Sequence, residues 1–144
     1  MSGEIRPELR VVVAYLEDAE QELVAVDRLL APPANRLAAF HLQQAAEKLV
    51  KAVRLARGLQ ATKEHRLEIL LNDLPEDDRW RVEFESFVSL GAYATAYRYP
   101  TPTGTRKPGP PAAEMASVAH ALRLLLERLR QEVTSGAFDL PDET

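Results

Sequence analysis

The spacing of apolar residues constrains this chain more tightly than any other feature. Val12, Leu16, Ala19, Leu23, Val26 and Leu30 recur in alternating steps of four and three, the period that lays one apolar stripe along an α-helix. Pro7 suits a first helical turn and Pro32-Pro33 breaks the pattern, which places a first helix between them. A second is expected from Asn35, a competent N-cap, to Gly58, a C-terminal stop. At about 100° per residue, Ala38, Leu42, Ala45, Ala46, Leu49, Val50, Ala52, Val53 and Ala56 fall on one arc of that helix. His41, Gln44, Glu47, Lys48 and Lys51 occupy the other.

Leu67, Leu70, Leu71 and Leu74 predict a short third helix closed by Pro75, and Trp80, Phe84, Phe87, Gly91 and Ala94 predict a fourth of period 3.6. Between Tyr99 and Pro111 prolines and glycines forbid regular structure. Met115, Val118, Leu122, Leu125, Leu129 and Val133 then mark a last amphipathic helix, begun by Pro111. No alternating period-2 run and no internal repeat is visible. The expectation is an all-α, up-and-down bundle of four long helices plus one short helix. It is read as a single domain over 1–144, with a core at 8–134 and a frayed tail at 135–144.

Composition removes several function classes. A chain of 144 residues, 46% of them apolar, has the size at which one domain buries roughly two thirds of its unfolded surface. With no cysteine, disulfide frameworks and thiolate zinc sites are excluded. His41, His65 and His120 lie far apart, and the nearest metal-like group, Glu64, His65 and Glu68, reads as charge at a helix start, so no metal and no cofactor is expected. There is no nucleophile elbow, phosphate-binding glycine loop or dinucleotide fingerprint. No apolar run approaches the roughly 18 residues of a membrane span. The stretch Leu9 to Leu16 is broken by Arg10 and stopped by Glu17 and Asp18, reading as neither signal peptide nor anchor. A soluble cytoplasmic protein without membrane contact is the expectation.

The formal charge of -4 argues against coating nucleic acid by bulk charge, but local fields matter more than the total. From Arg36 to Arg57, Arg36, Lys48, Lys51, Arg54 and Arg57 face Glu47 alone. No acidic residue lies between Glu85 and Glu114, where Arg98, Arg106 and Lys107 sit. If the second helix and this loop adjoin, they form a cationic cleft in an acidic body; otherwise they are solvated faces. His41, Gln44, Lys48 and Lys51 share a helix face at spacings suited to phosphate or nucleobase contacts, or to an ordinary wet face with a Glu47–Lys51 pair. Arg98 at a helix end could grip a phosphate and Tyr97 or Tyr99 could stack on a base. The plainer reading is a cation on the helix's last carbonyls before a terminating proline.

The run Phe40-His41-Leu42-Gln43-Gln44-Ala45-Ala46-Glu47-Lys48-Leu49-Val50-Lys51 resembles the HEPN domain family of nucleotide-binding helical domains. His65 before Leu67 is similar to the family's Thr-His-x-Leu segment, and Tyr97-Arg98-Tyr99-Pro100 to its Arg-Tyr-Pro ending. The likeness spans about residues 8–134. It implies a five-helix bundle, commonly a homodimer, partnered with a minimal nucleotidyltransferase in toxin-antitoxin style modules. Carried across by position, His41, Gln44, Lys48, Lys51, Arg98 and Tyr99 become candidates for a nucleotide or RNA cleft. The family's ribonuclease branch uses Arg, four to six residues, then His. Neither Arg98 nor Arg106 is followed by such a histidine, and Arg36-x4-His41 fits the spacing only formally, at the opening of the second helix.

Three functions compete on this reading. The first is a non-catalytic nucleotide- or RNA-binding partner of a nucleotidyltransferase. The second is a metal-independent ribonuclease with His41 as general base and Arg98 or Lys48 stabilising the transition state. The third is a structural homo-oligomer whose interface is the Trp80, Phe84 and Phe87 surface.

Overall fold

The structure is a computed structural model, and it describes residues 7–136 and 138. Helix α1 spans Pro7–Leu30, α2 Ala38–Ala56, α3 Leu67–Asn72 and α4 Arg79–Glu85. A 3-10 turn at Val88–Ala92 leads into the one-turn α5, Tyr93–Ala96, and α6 closes the chain at Ala112–Ser135. Among the described residues there is no strand, and the fold is the all-helical bundle expected.

Helix α2 is the central element, packed against α1, α3, α6 and the segment following α4. Its buried face is rich in small residues, with Ala38, Ala39, Ala45, Ala46 and Ala52 fully buried, which lets neighbouring backbones approach closely. Val12, Leu16, Ala19, Leu23 and Val26 of α1 are buried as the stripe requires, as are Leu122, Leu126 and Leu129 of α6. Removing one of the fully buried leucines, such as Leu49, would cost about 3–5 kcal/mol through lost transfer energy and the cavity left behind.

The helix ends follow the sequence with small shifts. Asn35 lies two residues before the N-cap, Leu37, and its Oδ1 accepts the Leu37 N–H at 2.8 Å. Gly58 takes φ +86, while the N–H groups of Gly58 and Leu59 donate to the carbonyls of Leu55 and Arg54, the paired bonds of a Schellman ending. Pro111 is the N-cap of α6 and Gly136, at φ +81, follows its last turn. Phe138 is buried beneath the Arg57 guanidinium, 5.3 Å from the ring centroid. The remaining tail positions, 137 and 139–144, lie outside the described residues.

The fourth expected helix is not continuous. The chain leaves α-geometry after Glu85, and the Phe87 and Leu90 N–H groups donate three residues back to Phe84 and Phe87. Phe84, Phe87 and Leu90 are spaced by three and all buried. A 3-10 winding stacks that spacing on one side, whereas Ser86, Ser89 and Gly91 contribute little to an α-helix. The aromatic surface read as an oligomer interface is also inside the protein: Trp80 and Phe84 are fully buried. The Trp80 indole N–H donates to Glu132 Oε1 at 3.3 Å.

Candidate nucleotide-binding site

The wet edge of α2 carries less free charge than its sequence suggests. Lys48 Nζ donates to Glu22 Oε2 of α1 at 2.6 Å, and His41 Nδ1 lies 2.7 Å from Glu22 Oε1. Lys51 reaches Glu47 at 3.1 Å, Arg54 Asp73 at 2.7 Å and Arg57 Asp78 at 2.9 Å. Of the five basic residues between Arg36 and Arg57, only Arg36 lacks a carboxylate partner among the described residues. Burial works to raise the Glu22 carboxyl, but hydrogen bonds and charge from His41 and Lys48 outweigh it and hold the group below its ordinary value.

Several of these pairs are structural. Arg54 is buried and donates to the Leu70 carbonyl as well as to Asp73, fastening α3 to α2. Asp78 accepts from the Trp80 and Arg81 N–H groups, capping α4, while holding Arg57. The positive charge of the α2 sequence is thus spent within the protein, on carboxylates contributed by α1, by α2 itself and by the turns around α3.

Glu47 departs furthest from its expected place on a solvated face. It is buried, and it accepts from Gln43 Nε2 at 3.3 Å and faces His65 Nδ1 at 2.8 Å in addition to Lys51. His65 stands on the loop between α2 and α3 with its side chain 74% exposed, so its second ring nitrogen remains free. Arg66 is held by Glu64, whose carboxyl is lowered to about 2 chiefly by the Arg66 side-chain hydrogen bond. Glu64, His65 and Glu68 form no metal cluster, and none is present among the described residues.

Two depressions flank the end of α5. The first is a cleft of about 720 Å³ lined by Phe40, Gln44, Glu47, His65 and Arg98 among others. The Arg98 guanidinium lies 4.4 Å from the Phe40 ring centroid and 5.4 Å from that of Tyr99, which is itself exposed. Arg98 has no carboxylate partner among the described residues, and it stacks on rings instead of bonding the last carbonyls of its helix. Gln44 donates to Gln43 Oε1 at 2.9 Å on the same wall.

The second is an open groove of about 660 Å³ formed by Asn35 and Arg36 with Arg106, Lys107 and the proline loop. Here the turn that leads into α2 adjoins the loop, and the cations that meet are Arg36, Arg106 and Lys107. Of the residues singled out in the sequence, Gln44 and Arg98 share the cleft, with Tyr99 stacked on Arg98. His41 and Lys48 are turned toward α1, and Lys51 lies beyond Glu47, outside both depressions.

A scan against family models matches the HEPN domain over residues 12–121, most of the chain and all of the elements that build the cleft. The chain belongs to the HEPN domain family. No curated protein and no solved structure gives a match beside it. In this HEPN domain, the family-like run on α2 supplies both the core face and the Phe40 and Gln44 wall. The segment Tyr97-Arg98-Tyr99-Pro100 supplies the free guanidinium. Among the described residues, no helix is long and apolar enough to cross a membrane.

Residue spacing alone missed three features: Glu22 as the partner of His41 and Lys48, the burial of Glu47 with His65, and Arg36, just before α2, as the cation left free. The first two depend on which elements cover α2, for which a single sequence carries no signal. The third had one, since Arg36 is the basic residue nearest the proline break.

Proposed function

We propose that this HEPN domain is a non-catalytic nucleotide- or RNA-binding module, acting as a homodimer beside a minimal nucleotidyltransferase in a toxin-antitoxin type system. The observation that carries the ligand reading is Arg98, an unpaired guanidinium stacked on Phe40 at the mouth of a cleft large enough for a nucleotide. A base can extend the Phe40–Arg98–Tyr99 stack, and Gln44 offers an amide to its edge. His41 and Lys48 serve this site indirectly, by tying α1 through Glu22 to the helix that forms its wall, while Lys51 pairs with Glu47 on that same helix. The test is calorimetry with ATP and a short oligoadenylate, on the wild type and Arg98→Gln. Sub-millimolar binding weakened by the substitution supports the reading; no binding by the wild type ends it. Co-purification from the host tests the nucleotidyltransferase.

A second reading, a metal-independent ribonuclease, is favoured by one contact. The buried Glu47 carboxylate holds His65 Nδ1 at 2.8 Å, an arrangement that leaves the other ring nitrogen able to take a proton. On that reading His65, rather than the Glu22-bound His41, is the general base, with Arg98 as the stabilising cation. Cleavage of RNA by the wild type and its loss in His65→Ala would support it; inert digests would exclude it.

A further inference from the structure

The groove beside Arg36 takes no part in the site just described, yet it gathers more unpaired positive charge than the cleft does. Arg36 donates its Nε to the Tyr97 carbonyl at 3.0 Å, which fixes the guanidinium plane and leaves its terminal nitrogens free. Arg106 and Lys107 are exposed and, like Arg36, have no carboxylate partner among the described residues. None of the residues lining the groove is acidic.

The walls are held in place rather than draped. A Cβ on Gly109 would come 2.6 Å from Arg36 Cβ and 3.0 Å from its Cα, so the loop backbone presses directly on the start of α2. Pro108 and Pro110 on either side restrict the loop further. With the backbone so held, the freedom lost on binding an anion is chiefly that of the Arg106 and Lys107 side chains.

The groove and the cleft are joined through consecutive residues. Tyr97 carries the carbonyl that anchors Arg36, and Arg98 is the stacked cation of the cleft. One ligand molecule can therefore reach both. A mononucleotide held on the Phe40–Arg98 stack fills the cleft alone, whereas a strand continuing from it carries its next phosphates toward Arg36, Arg106 and Lys107.

We infer that the Arg36–Arg106–Lys107 groove is a phosphodiester subsite adjoining the Arg98 cleft, and that it makes a single-stranded oligonucleotide the fitting ligand in preference to a mononucleotide. This rests on the nucleotide-binding reading above and adds the ligand class. Lys107 and Arg106 grip backbone phosphates without reading sequence, and Arg36 offers the more rigid fork.

The test compares wild type and an Arg106→Gln, Lys107→Gln double variant, using ATP and a short oligoadenylate at two salt concentrations. Both positions are exposed, so the variant is expected to keep its far-UV spectrum and melting temperature. Each lost contact removes about 0.7 from the salt slope of a single strand. Between 50 and 200 mM salt, wild-type affinity for the oligonucleotide should then fall about sevenfold more than that of the variant. ATP binding should be unchanged. An equal loss for ATP and the oligonucleotide, or no loss for either, overturns the subsite while leaving the cleft intact. Failure of the wild type to bind either ligand removes the parent reading instead.

Discussion

Replacing Glu47 and Lys51, singly and together, by methionine distinguishes a buried pair from an ordinary surface one. The stems are kept and the charges removed, as a double-mutant cycle requires. If the two lay on a wet helix face, their coupling would be about 0.3–0.5 kcal/mol. In the structure the Lys51 and Glu47 side chains are only 11% and 6% exposed, with the ammonium 3.1 Å from the carboxylate. At that distance the attraction at an effective dielectric near 20 is about 5 kcal/mol before desolvation is charged against it. His65 keeps one side of Glu47 near water, so part of that attraction is recovered by solvent when the pair is broken. A net coupling of about 1.5–3 kcal/mol follows, with Lys51→Met milder than Glu47→Met because Glu47 retains His65 and Gln43. Urea unfolding of all four proteins at neutral pH measures it. Coupling within about 0.5 kcal/mol would refute the burial argument.

Glu22 gives a pH dependence whose sign is fixed by its lowered folded-state pKa. The stability it contributes is present above its ordinary value of 4.5 and is lost as pH falls through the lower folded value. Glu22→Gln should cost about 1–3 kcal/mol at neutral pH and converge with wild type in acid; a constant gap down to about pH 3 would contradict this. Gly109→Ala should destabilise by about 1–3 kcal/mol through overpacking against Arg36, lowering Tm by roughly 3–9 °C; an unchanged melting curve would mean the loop does not press on α2. Trp80 is the sole tryptophan and fully buried, so acrylamide should quench its fluorescence weakly and independently of protein concentration. Quenching that deepens on dilution would restore the aromatic interface.

How far the sequence reached depended on whether a feature was local. The α1 stripe, the Gly58 ending and the break at Pro32-Pro33 were legible because spacing and backbone chemistry determine them within a few residues. The split after Glu85 was hidden, since Phe84, Phe87 and Leu90 fit a 3.6 period nearly as well as a 3-10 one. Charge was the least legible property. Lys48, Lys51, Arg54 and Arg57 look like a basic face, but their partners come from α1, from the same helix and from the turns flanking α3. Only packing brings Glu22, Asp73 and Asp78 within reach. The acid-free segment from 86 to 113 was the sounder signal, because a stretch without local carboxylates leaves fewer partners for Arg98, Arg106 and Lys107.

The most direct measurement sets Arg98→Gln beside Lys48→Gln in titrations with a short oligoadenylate. Lys48 is engaged by Glu22 and Arg98 by no carboxylate. Arg98→Gln should weaken binding about 5- to 30-fold, the loss of roughly 1–2 kcal/mol of stacking and charge, and Lys48→Gln should leave it within about twofold. Full binding by Arg98→Gln with a loss in Lys48→Gln would contradict it, and would return the site to the helical stripe.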